Sequence, residues 1–291
     1  MGSFDRKSNW LLGLLIIGLL LGGQPEKALA FPSVRALGMG GAYTAVADDA
    51  GAVFWNPAGL MQIKEQSLVG ALVLHPGEAD DYETFVGYLE HDTGYGAGAL
   101  SWYYGRLDPV AKPSGISYRE IHDLCYSLAK PAAGHVYWGG NIRYHREREP
   151  FSNSWQASWT GDISALAKLS DAVRLGITFR DIREAFNGGE DSAPGGNLLV
   201  GLAFQPEKGV VFAVDGYDVL NRLQSRAVRV GAEFELGSGV ALRVGLQKAT
   251  ETDWKAWTWG AGINLADWRV EYAYLSGDYE GIHTMGIAWR F

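Results

Sequence analysis

Val240-Ala241-Leu242-Arg243-Val244-Gly245-Leu246-Gln247 decides the fold. Its apolar members share one parity, and its small or polar members share the other. A period of two marks a half-buried β-strand. The pattern recurs where Val173, Leu175, Ile177 and Phe179 alternate with Arg174, Gly176, Thr178 and Arg180. It returns in Val228 to Glu235, in Trp268 to Tyr274 and in Thr284 to Phe291. Extended along the chain, it gives about fourteen strands. Their spans are 67–74, 83–90, 94–104, 119–130, 135–145, 155–168, 172–180, 196–205, 209–217, 226–236, 240–248, 257–265, 268–275 and 282–291. Lengths near 9–11 residues suit a tilted strand crossing a bilayer.

The connections add an independent constraint. Long ones at 75–82, 105–118, 146–154, 181–195, 218–225, 249–256 and 276–281 alternate with short ones such as 91–93, 131–134, 206–208, 237–239 and 266–267. Outer-membrane barrels pair long outer loops with short periplasmic turns. A soluble sandwich has no reason to keep that parity. Tyr103, Tyr144, Trp155, Trp257 and Tyr274 then fall near outer strand ends, and Trp268, Trp289 and Phe291 near periplasmic ends. Aromatic girdles sit at such interfaces.

An energy decides which face points inward. An Arg on the lipid side at mid-bilayer costs roughly 2–4 kcal/mol. Six of them would exceed a typical stability of ~5–15 kcal/mol. Arg174, Arg180, Arg229, Arg243, Arg269 and Arg290 are therefore expected in the lumen, with Asp162, Glu233 and Glu271 as counter-charges. Gly176, Gly231, Gly245, Gly260, Gly262 and Gly286 are expected to make room for those side chains. The lumen should be polar and crowded. Cys125 should face inward as a packed thiol.

Composition bounds the alternatives. The 291 residues hold 39 Gly, 11 Trp and 14 Tyr, and carry a net charge of −8. That charge argues against nucleic acid as a partner. A single cysteine excludes an internal disulfide framework and any multi-Cys metal site. Mean hydropathy is near zero. That excludes a bundle of apolar helices and leaves a barrel open.

Arg6 and Lys7, an apolar run from Trp10 to Leu21, and Ala28-Leu29-Ala30 read as a secretory signal peptide over residues 1–30. Residues 31–66 differ again, being small, apolar and glycine-rich. Asp48 or Asp49 is placed to cap a short helix from about Ala50 to Trp55. Asn56 should end it, because the residue before a proline avoids the helical region. About thirty-six residues cannot fold alone. They fit inside the barrel, whose own wall spans 67–291, as a hatch or plug.

The run Arg35-Ala36-Leu37-Gly38-Met39-Gly40-Gly41-Ala42, then Ala47-Asp48-Asp49-Ala50 and Asn56-Pro57-Ala58-Gly59-Leu60, resembles the N-terminal region of the FadL superfamily, and within it most resembles the PorV/PorQ branch. Asp162-Ile163-Ser164-Ala165-Leu166, Val230-Gly231-Ala232-Glu233-Phe234 and Leu242-Arg243-Val244-Gly245 resemble strand patterns of that branch. Trp289-Arg290-Phe291 resembles the terminal signal read by the barrel assembly machinery. The resemblance implies an all-β transmembrane antiparallel barrel of fourteen strands with an N-terminal hatch. Gly38, Gly40, Gly41, Asn56, Pro57 and Ala58 would be the hatch motif, and Trp289 and Phe291 the assembly signal. FadL-type transporters are longer, with larger outer loops, so the resemblance does not carry over a fatty-acid groove.

The sequence shows no zinc spacing among its six histidines and no G-x-S-x-G elbow. His122 reads as a solvated interfacial residue. No enzyme, metal or cofactor is expected. The expectation is an outer-membrane protein, in contact with membrane lipid, that passes small hydrophobic molecules with the N-terminal segment as gate. The alternative is a closed barrel that docks a secreted or envelope protein through the loops at 146–149 and 181–195.

Overall fold

The computed structural model describes residues 33–76, 81–112, 115–152, 154–182, 196–221, 225–237, 239–276 and 281–291. The expected leader and most of the 181–195 loop lie outside them. Fourteen strands follow in chain order: β1 Ser67–Leu74, β2 Tyr82–Glu90, β3 Ala97–Lys112, β4 Gly115–Pro131, β5 Val136–Arg148, β6 Trp155–Lys168, β7 Val173–Arg180, β8 Asn197–Glu207, β9 Val210–Tyr217, β10 Ala227–Leu236, β11 Val240–Ala249, β12 Lys255–Leu265, β13 Trp268–Leu275 and β14 Ile282–Arg290. Each pairs antiparallel with its chain neighbours, and β1 closes on β14 from Ser67↔Arg290 to Leu74↔His283. Closure leaves no unpaired edge.

The period of two sorts the wall. Leu242 and Val244 of β11 stand exposed outside, while Ala241, Arg243 and Gly245 are buried inside. Val86, Leu100, Ile142, Ile163, Val230 and Ile287 continue the exposed apolar band around the barrel. An apolar belt of that extent is not a water-facing surface. The core is the lumen itself, where Tyr43, Met39, Phe54, Leu60 and Phe85 are buried together.

Several sequence expectations need correction. Residues 105–118 are not a loop. β3 and β4 extend to Lys112 and from Gly115, pairing as far as Lys112↔Gly115. Pro109, a loop signal by sequence, falls with Asp108 in a β-bulge between Leu107 and Val110, where Asp108 takes φ 53°. At a bulge the missing proline N–H costs no ladder bond. The alternation of long and short connections breaks there because this hairpin lengthens its strands instead. The short connection expected at 91–93 runs from 91 to 96, where the Asp92 carboxylate accepts from the N–H groups of Gly94 and Gly96 (both 2.9 Å). Tyr103 does not join an outer girdle. It lies on the inward parity, and its hydroxyl donates to Glu83 at 2.8 Å. His122 is not simply solvated, since its ring packs on the outer wall between those of Tyr104 (4.9 Å) and Trp155 (5.7 Å).

Candidate functional site in the barrel lumen

The N-terminal segment builds the site. Helix α1, Val34–Gly38, starts at Ser33, whose hydroxyl accepts from the Ala36 N–H (3.3 Å). Helix α2 covers only Ala52–Trp55, and its N-cap is Gly51 with no side-chain cap. The expected aspartate cap is therefore absent: Asp49 instead accepts from the Gly51 N–H (2.8 Å), and Asp48 is drawn to Arg35. Asn56 does end the helix, at φ −162°, and caps the 3-10 helix Pro57–Gln62 by accepting from Ala58 N–H.

Inward polar side chains hold this segment around the wall. Asp215 of β9 accepts from the N–H groups of Tyr43 (2.9 Å) and Thr44 (2.8 Å). Asn141 of β5 donates to the Val53 carbonyl (2.7 Å), Thr178 of β7 to Trp55 (2.9 Å) and Thr258 of β12 to Gly38 (3.1 Å). Asn56 donates to Thr44 O (2.8 Å) and to Ala165 O of β6 (3.1 Å), and the Ser164 hydroxyl accepts from Ala58 N–H (2.9 Å). Buried backbone groups must find partners. Here the barrel wall supplies them to a segment too short for a sheet of its own.

The inward glycines mostly serve a purpose other than the one expected. A Cβ on Gly231 would meet the Met39 carbonyl, and one on Gly245 the Gly40 nitrogen. Gly176 faces the Thr44 carbonyl in the same way, and Gly260 the Gly38 Cα. Room is left for incoming backbone rather than for long side chains. Gly262, packed against the Arg243 guanidinium, and Gly286, facing the Val34 side chain, are the exceptions. Gly40 and Gly41 turn the segment through φ 66° and 71°, which side chains rarely adopt.

A chain of ion pairs locks one side. Glu233 of β10 accepts from Arg35 Nε (2.7 Å) and Nη2 (2.6 Å) and from Arg243 Nε (2.6 Å). Arg243 Nη2 reaches Glu271 at 2.9 Å, and Glu271 also holds Arg269 (3.0 Å). Arg35 further pairs with Asp48 and touches the Tyr43 hydroxyl at 3.2 Å. Burial opposes the charge on Arg35, but Asp48 and Glu233 outweigh it and hold its pKa well above the usual value. Burial pushes the Tyr43 hydroxyl up, and it pushes the Asp49 carboxyl up despite Arg35 nearby.

The remaining charged residues expected in the lumen also lie on the inward parity of their strands. Asp162 serves Arg143 of β5 (2.7 Å), an arginine the sequence reading did not single out. Arg174 donates to Gln62 of the segment (3.0 Å). Arg229 lies over the rings of Tyr217 (3.9 Å) and Trp55 (5.2 Å). Arg180 is buried, and Arg290 sits at the rim, 3.8 Å from Glu65. Arg35, Asn141, Arg143 and Asp215 were missed, although the last three sit on the inward parity of their strands. Cys125 is buried beside Ser127. Among the described residues no group of three or more His, Cys, Asp or Glu is placed to hold a metal.

A cavity of about 350 Å³ remains between the segment and the β1–β2 and β13–β14 walls. Val69, Ala71, Phe85 and Leu89 give it an apolar side, and Arg35, Asp49, Arg269 and Glu271 a charged one.

The barrel is similar in fold to solved structures of other β-barrels. The toluene transporter TodX of Pseudomonas putida shares 13% identity over 92% of this chain and 99% of its own, with a TM-score of 0.67. A FadL homologue of Pseudomonas aeruginosa shares 12% over 90% and 99%, with a TM-score of 0.66. The toluene transporter TbuX of Ralstonia pickettii shares 12% over 90% and 98%, also at 0.66. This chain has the fold of the FadL and TodX type of barrel. No protein-family model matches the chain, and no curated protein matches its sequence.

Proposed function

We propose that this protein is an outer-membrane barrel that passes small hydrophobic molecules, with residues 33–66 as a gate. The observation that carries the reading is a lumen filled by the chain's own N-terminal segment, whose backbone donors and acceptors and ion pairs tie it to the wall. A permanent core would be served more simply by apolar packing, because buried ion pairs contribute little net stability. The cavity beside the segment supports the choice of permeant. An apolar cavity of ~150 Å³ holds benzene, and this one is larger and has one apolar wall. The solved neighbours named as toluene transporters are consistent with a permeant of that class. The exposed apolar band and the closed strand order support the membrane placement.

The gate is tested by permeability of reconstituted vesicles. Removing residues 31–60 should raise entry of small solutes several-fold. If that variant fails to fold, Arg35→Ala in the full chain should raise it to a smaller extent. An unchanged rate in a folded variant contradicts the gate.

A second reading is a docking barrel of the PorV kind, and the tall hairpins favour it. β3 to β6 run 13–17 residues, against 8–11 for β7 to β14. A partner that co-purifies, and is lost when Arg146 to Glu149 are replaced by Gly and Ser, would support it. At the other rim Trp268 stacks on Trp289 (6.0 Å), and Trp289 on Phe291 (4.7 Å). We assign this stack to recognition by the barrel assembly machinery.

A further inference from the structure

The outward strand positions are apolar or aromatic through the middle of the wall, and charge gathers at the long-loop end. By strand parity the outward charges there are Arg106, Glu120, Arg146, Arg148, Lys248 and Lys255. That is five cations to one anion, on a chain whose net charge is −8. The excess is local and opposes the overall balance.

Two groups carry it independently. On β5, Arg146 is exposed and lays its guanidinium 4.2 Å from the Trp155 ring centre, with Arg148 at 5.4 Å. Glu120 pairs with Arg148 and is the register partner of Arg106, so one carboxylate faces two guanidinium groups. On the opposite side of the barrel, Lys248 and Lys255 are direct register partners on β11 and β12. Like charges directly opposite one another destabilise a ladder. Neither lysine has an ion pair among the described residues.

Depth decides what these cations meet. Beside the arginines, Trp102, Tyr104, His122 and Trp155 form a continuous run of ring contacts on the outer wall, with His122 the register partner of Arg146 and Trp155 that of Arg148. Below the lysines, the Trp259 ring packs against those of Tyr272 and Tyr274. Aromatic belts mark the membrane interface. Cations at or just above such a belt stand at headgroup depth, where guanidinium forks match phosphate oxygens. We infer that this rim binds phosphorylated headgroups of outer-leaflet lipids, at one site on β3–β5 and one between β11 and β12. The inference rests on the membrane reading above and is independent of the permeant.

The test uses the full-length barrel in neutral detergent, titrated with mixed micelles containing diphosphoryl lipid A. The comparison lipid is the dephosphorylated form with the same acyl chains. The wild-type protein should prefer the phosphorylated lipid at least ten-fold, and the preference should shrink at high salt. R146Q/R148Q and K248Q/K255Q should each reduce it at least three-fold. Heat-modifiable gel migration checks that both variants are closed barrels. Equal binding of the two lipids, or variants that keep the full preference, would overturn the inference. Displacement of the lipid by millimolar inorganic phosphate would also overturn it, by showing a free-anion site. A barrel that does not insert into bilayers would sink the membrane reading as well. Insertion without lipid preference would sink this inference alone.

Discussion

Glu233 is the residue on which the lumen turns. It is 1% exposed and accepts hydrogen bonds from a guanidinium of the segment and one of the wall. Glu233→Gln would leave Arg35 and Arg243 short of a counter-charge in a dry site. Breaking such a buried pair costs roughly 3–5 kcal/mol, and urea unfolding in detergent should show a loss of that order. Adding Arg35→Gln should recover part of it. Gly245 reports on the segment differently. In Gly245→Val the new side chain occupies the position of the Gly40 backbone. The expected outcome is a barrel with normal gel migration but raised solute permeability. Asp49 gives a pH test. Its folded pKa is raised by burial, so the folded state holds the proton more tightly than the unfolded state does. Stability is therefore lost as pH rises through the carboxylate range. Asp49→Asn should raise the melting temperature at neutral pH, and the gain should vanish in acid. These residues were only half legible in the sequence. Parity alone places Glu233, Arg243 and Gly245 inside, but it names no partner. Arg35 carries no period-two signal, because it sits in a short helix.

At the scale of elements, alternation identified strands well and ended them badly. β1, β6 and β13 have the bounds that the alternation gives. β3 and β4 run past them because Pro109, a breaker by sequence, sits in a bulge and the ladder resumes at Val110↔Ser117. The strength of a ladder depends on cross-strand pairs, which a single strand does not display. The tall hairpin adds nothing to closure, since β2 contacts β3 only as far as Arg106. Replacing residues 108–117 with a two-residue turn should leave a closed barrel with heat-modifiable migration. Loss of that migration would show that the hairpin is needed for assembly. The short helices were the least legible elements. α1 went unforeseen and α2 lacks its expected cap, because Asp48 is taken by a tertiary ion pair.

For the whole molecule, the segment and the wall complete one another. The wall offers inward glycines, amide donors and carboxylates, and the segment offers backbone that fits between them. Neither half buries its polar groups alone. The barrel was readable from the sequence because the bilayer imposes one rule on every strand. The path of the segment was not, because it depends on contacts between residues far apart in the chain, such as Arg35 with Glu233 and Gly38 with Thr258. The central claim is selective passage of small hydrophobic molecules through a gated lumen. Its most direct measurement compares entry of a monoaromatic hydrocarbon and of a hydrophilic solute of similar size into vesicles holding the intact protein. The account predicts faster hydrocarbon entry than in protein-free vesicles, with the hydrophilic solute still excluded. Equal acceleration of both solutes would mean an open pore, and acceleration of neither would mean a sealed barrel, and either result would contradict it.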